Sequence, residues 1–160
     1  MIKNKLWRLS VSLLVLVPAT LVGCSTLKAS VSPAYQGKMT EVARIGVAGE
    51  GATGAAPAFQ AEGYMVIDIG SDTGAPMEAA KRLDVPFVAI IDAVGTDGAW
   101  WDSVFDYSMR VTETSSGQIV WSGRGEFGEG LVISQTSSTS RAMLAMVKDF
   151  KRNFPPAPTK

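Results

Sequence analysis

The stretch that decides the fold is VPFVAIIDAVGTDGAWWDSVFDYSMRVT, Val85 to Thr112. Its first ten residues, Val85 to Val94, are almost entirely apolar, which predicts a central strand covered on both faces. From Ser103 to Thr112 apolar and polar residues alternate, which predicts a half-exposed antiparallel strand. The chain therefore changes from a buried α/β pattern to an antiparallel one within this stretch.

The flanking segments supply the other elements of one small domain. Patterns of apolar residues predict strands over Glu41–Ala48, Tyr64–Gly70 and Gln118–Phe127, and helices over Pro76–Asp84 and Arg141–Phe150. In the last strand we expect Ile119, Trp121 and Phe127 to face inward. Pro57 limits the helix between the first two strands to one or two turns. The predicted fold class is α/β (α+β), a mixed sheet of about five strands in the order β-α-β-α-β-β-β-α.

The N-terminus reads as an export signal. Lys3, Lys5 and Arg8 precede an uncharged apolar stretch that ends at Gly23 and is short for a membrane-spanning helix. Leu21-Val22-Gly23-Cys24 resembles the lipobox of bacterial lipoproteins, which implies that Cys24 is lipidated and becomes the new N-terminus. By resemblance to lipoprotein sorting, Ser25 in place of an aspartate favours the periplasmic face of the outer membrane.

These features divide the chain into four parts. We predict a signal peptide over residues 1–23, a lipidated flexible tether over 24–40, a periplasmic α/β domain over 41–152 and a Pro-rich tail over 153–160. Loss of the signal leaves 12 basic against 15 acidic residues, a net charge of about −3, so no nucleic-acid partner is expected. The only cysteine is Cys24, so the domain has no disulfide.

One motif points to a dinucleotide. Gly49, Gly51 and Gly54 form a G-x-G-x-x-G after a predicted strand, and Asp68 follows 19 residues after the first glycine. However, Pro57 interrupts the helix that would hold the phosphate, and the chain turns antiparallel after its third strand. We therefore interpret the glycines as a flexible strand-to-helix loop and expect no cofactor.

Other chemistry has little support in the sequence. The chain contains no histidine, the commonest general base and metal ligand. Four carboxylates fall near predicted strand ends: Asp68, Asp72, Asp92 and Asp97. We interpret them as solvated loop residues or helix caps. The alternative is a carboxylate pair or a weak Ca²⁺ site. Arg110 with Glu113, and Arg124 with Glu126, read as a solvated sheet face. We expect no catalytic residue and no resident metal.

The feature that suggests a binding partner is the adjacent pair Trp100 and Trp101. Neighbouring residues of an extended chain point in opposite directions, so both rings can hardly enter one core. Exposed tryptophan is favoured at protein interfaces and at the lipid headgroup layer. We hypothesise that Trp100 and Trp101 contact a protein subunit or the membrane. The alternative is that one ring covers the sheet edge and the other the end of a helix.

A resemblance to a group of proteins rests on TSSGQIVWSGRGE, Thr114 to Glu126. A strand, a Ser-Gly turn and then G-x-I-V-W-S-G resemble the last hairpin of small periplasmic α/β lipoproteins. This group includes the curli-secretion lipoprotein, the Pel exopolysaccharide-export lipoprotein and the lipoprotein activators of penicillin-binding proteins. EGYMVID and AAKRLDVPFVAIIDAV extend the resemblance over most of the mature chain. The first helix is shorter than in the group, and the chain has no room for the membrane-spanning hairpins of the curli pore.

The resemblance implies a non-catalytic domain that forms rings or docks on an envelope machine. We therefore expect an outer-membrane lipoprotein, not an enzyme, that acts as an interaction module in secretion or export. Its expected partners are the outer membrane, an envelope protein and further copies of the same chain. The alternatives are an activator of a peptidoglycan synthase and, third, a periplasmic protein that binds a small ligand or a metal.

Overall fold

A computed structural model describes residues 25–70, 75–97, 104–128 and 135–158. They form a mixed α/β domain with one six-stranded sheet and three α-helices, which confirms the predicted class. The strands are β1 (Ser25–Val31), β2 (Arg44–Ala48), β3 (Met65–Gly70), β4 (Phe87–Asp97), β5 (Val104–Glu113) and β6 (Ile119–Gly128). The helices are α1 (Ala52–Ala61), α2 (Pro76–Arg82) and α3 (Gln135–Lys151), and a 3-10 turn covers Pro33–Tyr35.

The sheet changes direction at β4. Its strand order is β1-β6-β5-β4-β2-β3. Strand β2 runs parallel to both β3 and β4, whereas β4, β5, β6 and β1 pair in antiparallel fashion. Val88, Ala89 and Ile91 of β4 are fully buried and belong to core clusters on both faces of the sheet. The stretch from Val85 therefore forms the doubly covered central strand that its apolar run predicts.

Strand β1 is the main departure from the prediction. It pairs antiparallel with β6 from Ser25↔Phe127 to Val31↔Trp121. Leu27 and Val31 pack on the core, while Thr26, Lys28 and Ser30 are exposed on the other face. The prediction of a flexible tether over residues 24–40 is therefore wrong where β1 forms. Its period of two is weak in sequence because half of its residues are small, and its partner lies about 90 residues away.

Two helices are longer than predicted. Helix α1 runs for ten residues with Pro57 inside it, so the expectation of one or two turns is wrong. Pro57 removes the hydrogen bond to the carbonyl four residues earlier and crowds that carbonyl, and burial of Ala55, Ala58 and Phe59 offsets this cost. Helix α3 begins at Gln135, six residues before the predicted start at Arg141. Of the described residues, no helix has both the length and the hydrophobicity to cross a bilayer.

Trp121 fastens α3 to the sheet. Its side chain is fully buried, its ring meets Phe150 edge to face at 5.9 Å between centroids, and its Nε1 donates to Oδ2 of Asp149 at 3.2 Å. Gly123 makes the room for this ring, because a Cβ at that position would overlap the six-membered ring of Trp121. Phe150 in turn contacts Phe59 of α1, with 6.0 Å between ring centroids. One aromatic cluster therefore joins β6, α3 and α1.

A β-bulge changes which residues of β6 face the core. The pairing with β5 shifts between Val111↔Trp121 and Thr112↔Ile119. Val120 and Trp121 are consequently both buried, whereas Ile119 is 47% exposed. The prediction that Ile119 faces inward is wrong because the extra residue in β6 reverses the alternation at this point. The alternation of apolar and polar residues along a single strand cannot reveal such an insertion, because the insertion is defined by the pairing with the neighbouring strand.

The C-terminal segment packs on the domain and does not form a free tail. Phe154 is fully buried and stacks on Phe150 with 4.8 Å between ring centroids. Its carbonyl oxygen accepts a hydrogen bond from the Tyr64 hydroxyl at 2.6 Å. Val42 forms a parallel bridge with Pro156, and its N–H donates to the carbonyl oxygen of Pro155 at 2.8 Å. The domain therefore extends through the described part of residues 153–160.

We predict that Gly123→Ala destabilises the domain by about 1–3 kcal/mol, since the added methyl group overpacks the Trp121 site. Urea unfolding followed by circular dichroism measures the change. Ser108→Ala is the control: it lies on the solvent side of the neighbouring strand β5 and should change the free energy of unfolding by less than about 0.5 kcal/mol. Equal stability of Gly123→Ala and the wild type would contradict the role assigned to the Trp121 contact.

Candidate interaction surface

Half of one sheet face has no helix on it among the described residues. Helices α1 and α3 pack on one face, and α2 packs against β3 and β4 on the other. We call the uncovered surface of β5, β6 and β1 on the α2 side the open face. Its described side chains are Asp106, Ser108, Arg110, Ser122, Arg124, Thr26, Lys28 and Ser30. The predicted half-exposed strands are thus confirmed, and they share one surface.

Strand register arranges these side chains in rows. One row reads Lys28, Arg124, Ser108 and Asp92, and the next reads Ser30, Ser122, Arg110 and Ile90. The Ser30 and Ser122 hydroxyls lie 2.9 Å apart in a hydrogen bond. Long basic side chains therefore surround short hydroxyl side chains. The result is an open depression of about 280 Å³ on the sheet surface.

We call this feature the basic depression. Its side-chain walls and floor are Lys28, Ser30, Ser108, Arg110, Ser122 and Arg124. Three of these residues are cationic and none is acidic.

Two carboxylates flank the basic depression and pair with its arginines. Arg110 Nη2 lies 3.0 Å from Asp92 Oδ2, and Arg124 Nε lies 2.9 Å from Asp106 Oδ2. Asp106 accepts from both Nε and Nη2 of Arg124, a two-pronged arrangement that orients the guanidinium. These exposed pairs add little to stability, on the order of 0–1 kcal/mol each. Their main effect is to fix the positions of the two arginines.

Lys28 differs from the arginines. It lies directly across the β1–β6 ladder from Arg124, and no ion pair to Lys28 occurs among the described residues. Two like charges in directly opposed positions on a sheet destabilise it. Among the described side chains, Lys28 is a cation without an ion-pair partner, whereas the neighbouring Arg124 is paired with Asp106.

The sequence places Arg110 and Glu113 together on a solvated sheet face, but the structure gives the two residues different partners. Arg110 pairs with Asp92, whereas Glu113 accepts hydrogen bonds from Ser116 Oγ at 2.5 Å and Tyr35 OH at 2.9 Å. These donors, Ser116 first, hold the pKa of Glu113 below its usual range. Burial and the neighbouring Glu113 carboxylate raise the pKa of Tyr35. Glu113 thus ties the β5–β6 hairpin to the 3-10 turn and is not part of the basic depression.

The glycine motif is explained by packing on β4. Gly49 has a positive φ of 91°, and a Cβ there would overlap the carbonyl oxygen of Ile91. A Cβ at Gly51 would likewise overlap the Ile91 side chain, and the Gly51 N–H donates to the Ile91 carbonyl oxygen at 3.1 Å. The close packing on β4 therefore requires glycine at both positions, and no ligand is needed to explain them. Gly49 and Gly51 lie in the loop that leads from β2 into α1, as the sequence predicts, whereas Gly54 lies inside α1 and its placement in the loop is wrong.

The remaining candidate residues fall in several places. Asp68 on β3 accepts a hydrogen bond from the N–H of Gly70 at 2.8 Å, a local turn contact, while Asp92 pairs with Arg110. Across residues 25–70, 75–97, 104–128 and 135–158, no group of three or more potential ligands is arranged to hold a metal ion. Cys24, Asp72, Trp100 and Trp101 lie outside the described residues, so their roles stay predictions.

Sequence reasoning missed Lys28 and the pairs that Asp92 and Asp106 make. A weak signal for Lys28 existed, since Leu27, Ala29 and Val31 alternate with Thr26, Lys28 and Ser30. The ion pairs depend on strand register across 18 residues, which the sequence pattern does not fix.

Comparison with solved structures identifies a similar fold. The PelC dodecamer from Paraburkholderia phytofirmans matches with a TM-score of 0.63 and 15% identity, over 78% of this chain and 95% of the PelC chain. A point mutant of the same dodecamer gives a TM-score of 0.63 and 14% identity. Lipoprotein GNA1162 from Neisseria meningitidis gives 0.46 and 20% identity, over 69% of this chain and 99% of that one. No protein-family model and no curated protein sequence matches the chain.

We predict that Tyr35→Phe raises the pKa of Glu113 toward its ordinary value, because the variant loses one hydrogen bond to the carboxylate. A ¹³C NMR titration of the Glu113 carboxyl measures this pKa. Since the folded-state pKa lies below the unfolded value, the stabilisation is complete above the unfolded pKa and is lost as pH falls through the folded pKa. The stability gap between wild type and variant should therefore narrow in acid. Tyr64→Phe, which loses a bond to a carbonyl oxygen, should leave the pKa of Glu113 unchanged.

Proposed function

We propose that this chain is a lipid-anchored protein of the periplasmic face of the outer membrane. Its domain acts as a non-catalytic interaction module of an envelope export or assembly machine, in the form of a ring oligomer. The observation that carries the proposal is the fold, which matches subunits of the PelC dodecamer over 78% of this chain. The lipobox-like Leu21-Val22-Gly23-Cys24 supplies the anchor.

The position of β1 supports a membrane-facing orientation. Strand β1 starts at Ser25, immediately after Cys24, and one row of the sheet runs Ser25, Phe127, Phe105 and Thr96. Acyl chains on Cys24 would hold this end of the sheet at the bilayer surface, because only one peptide bond separates Cys24 from the strand.

The segment that contains the tryptophan pair connects β4 to β5 at the same end of the sheet. Asp97 and Val104 pair with each other one step beyond that row. The six residues that connect them, 98–103, include Trp100 and Trp101. A connection that starts and finishes beside the anchor favours lipid headgroups as the partner of these tryptophans, since indole rings prefer the membrane interface.

Oligomer formation is tested by native mass spectrometry of the acylated protein extracted in detergent. We expect a mass far above that of one chain, and a Cys24 peptide that carries acyl groups. A monomer without partners would contradict the ring. If that monomer stimulates a peptidoglycan synthase, the alternative function as a synthase activator is favoured instead.

The tryptophan hypothesis predicts quenching by brominated lipids. After the signal is removed, the chain contains Trp100, Trp101 and Trp121, of which Trp121 is buried in the core. In vesicles with brominated acyl chains we expect strong quenching of wild-type fluorescence. The quenching should disappear in a Trp100→Phe/Trp101→Phe double variant, in which buried Trp121 is the remaining tryptophan of the mature chain. An unquenched wild type that still forms the full oligomer would instead indicate that the tryptophans contact a neighbouring subunit.

A further inference from the structure

We infer that β1 is a releasable strap, which separates from β6 as a unit of its own while the rest of the domain stays folded. With β1 paired, the anchored residue Cys24 is joined directly to a rigid sheet. With β1 released, residues 25–34 become a tether that can span up to about 33 Å between the anchor and Tyr35. What the release does at the membrane rests on the anchor of the proposed function, whereas the release itself does not require acylation.

Burial is the first argument for a separate unit. None of residues 26–31 is fully buried: Leu27 and Val31 are partly buried against the core, and the other four are exposed. Helix α3 packs on one face of β1, and the other face belongs to the open face. Such a strand has little buried apolar surface to offset the conformational entropy that its residues regain on release.

The opposite edge strand, β3, shows that position at an edge is not enough. Ile69 of β3 is buried, and Val66 and Ile67 pack on two different core clusters, so β3 is covered on both faces. The packing is close, because a Cβ at Gly46 of the neighbouring strand β2 would overlap the Ile69 side chain. We therefore expect β3 to unfold only together with the core.

Side chains add little to the backbone ladder between β1 and β6. The hydroxyl groups of Ser30 and Ser122 share one hydrogen bond at 2.9 Å, and this bond is exposed to water. Lys28 forms no ion pair within the described part of the chain. An exposed hydrogen bond replaces bonds to water and so contributes little net stability.

The chain that follows β1 is fixed to the domain, which limits the release to β1 and the residues next to it. The Tyr35 hydroxyl donates to Glu113 at 2.9 Å, and its ring lies 5.5 Å from that of Phe154. Further along, the N–H of Thr40 donates to the carbonyl oxygen of Asn153 at 2.9 Å. Strand β6 remains paired with β5 and packed against α3 when β1 leaves.

Hydrogen–deuterium exchange of the full acylated protein in nanodiscs, followed by mass spectrometry, tests the inference. After correction for intrinsic rates, we expect the paired amides of β1 to exchange about a hundredfold faster than those of β3. A Ser30→Cys/Ser122→Cys variant can close a disulfide, because the two residues are directly paired across the ladder. The disulfide should slow exchange in β1 to within about tenfold of β3, and its reduction should restore the fast exchange.

Leu27→Ala and Val66→Ala form a matched pair, since both side chains are partly buried against the same core cluster from the two edge strands. Leu27→Ala should speed exchange in β1 about tenfold and leave the paired amides of β4 and β5 within about twofold of wild type. Val66→Ala should speed exchange in β4 and β5 as well, because β3 opens only with the core.

Three outcomes would overturn the inference. They are exchange in β1 as slow as in β3, fast exchange in β1 that the disulfide does not slow, and an effect of Leu27→Ala that extends to β4 and β5. The first and third would show that β1 unfolds only with the whole domain, and the second would show that its exchange does not require separation from β6. The mass of the Cys24 peptide in the same digest reports acylation. A peptide without acyl groups would contradict the proposed anchor and leave the result on β1 unaffected.

Discussion

The structure depends on the contact between Trp121 and α3. The ring is buried on the sheet, its N–H donates to the Asp149 carboxylate, and the ring meets Phe150 in an edge-to-face contact. Phe150 then joins Phe59 and Phe154, so α1 and the C-terminal segment attach to the sheet through the same cluster. The Trp-Ser-Gly order in the sequence has a steric reason, because Gly123 leaves space for the ring of Trp121 on the same face of β6.

An unequal distribution of helices gives the domain its exposed surface. Two helices cover one face of six strands, while the seven-residue α2 covers only the β3-β2-β4 half of the other. Strands β5, β6 and β1 therefore keep one polar side, and their alternating pattern follows from that. Each of these three strands contributes one serine and one basic residue at neighbouring positions of the open face, and the six side chains form the basic depression.

Most of the fold could be predicted from the sequence, and the failures have physical causes. The doubly covered β4 and the alternation of Tyr107, Met109 and Val111 are strong local signals, and both are confirmed. Strand β1 was hidden because its inward residues include alanine and its partner is distant in sequence. The Ile119 error arose from a bulge, which sequence periodicity cannot detect. The role of the glycine motif could not be predicted from the sequence, because Gly49 and Gly51 are required by their contact with Ile91, about 40 residues away.

The start of β1 at Ser25 has a mechanical consequence. Force applied through the N-terminus along the strand axis would load the seven β1–β6 residue pairs together in shear, because antiparallel hydrogen bonds run perpendicular to the strands. Force perpendicular to the sheet edge would instead break those pairs one after another. The domain should therefore resist traction far better in one direction than in the other, and a lateral pull on the anchor would peel off β1 before the aromatic cluster yields.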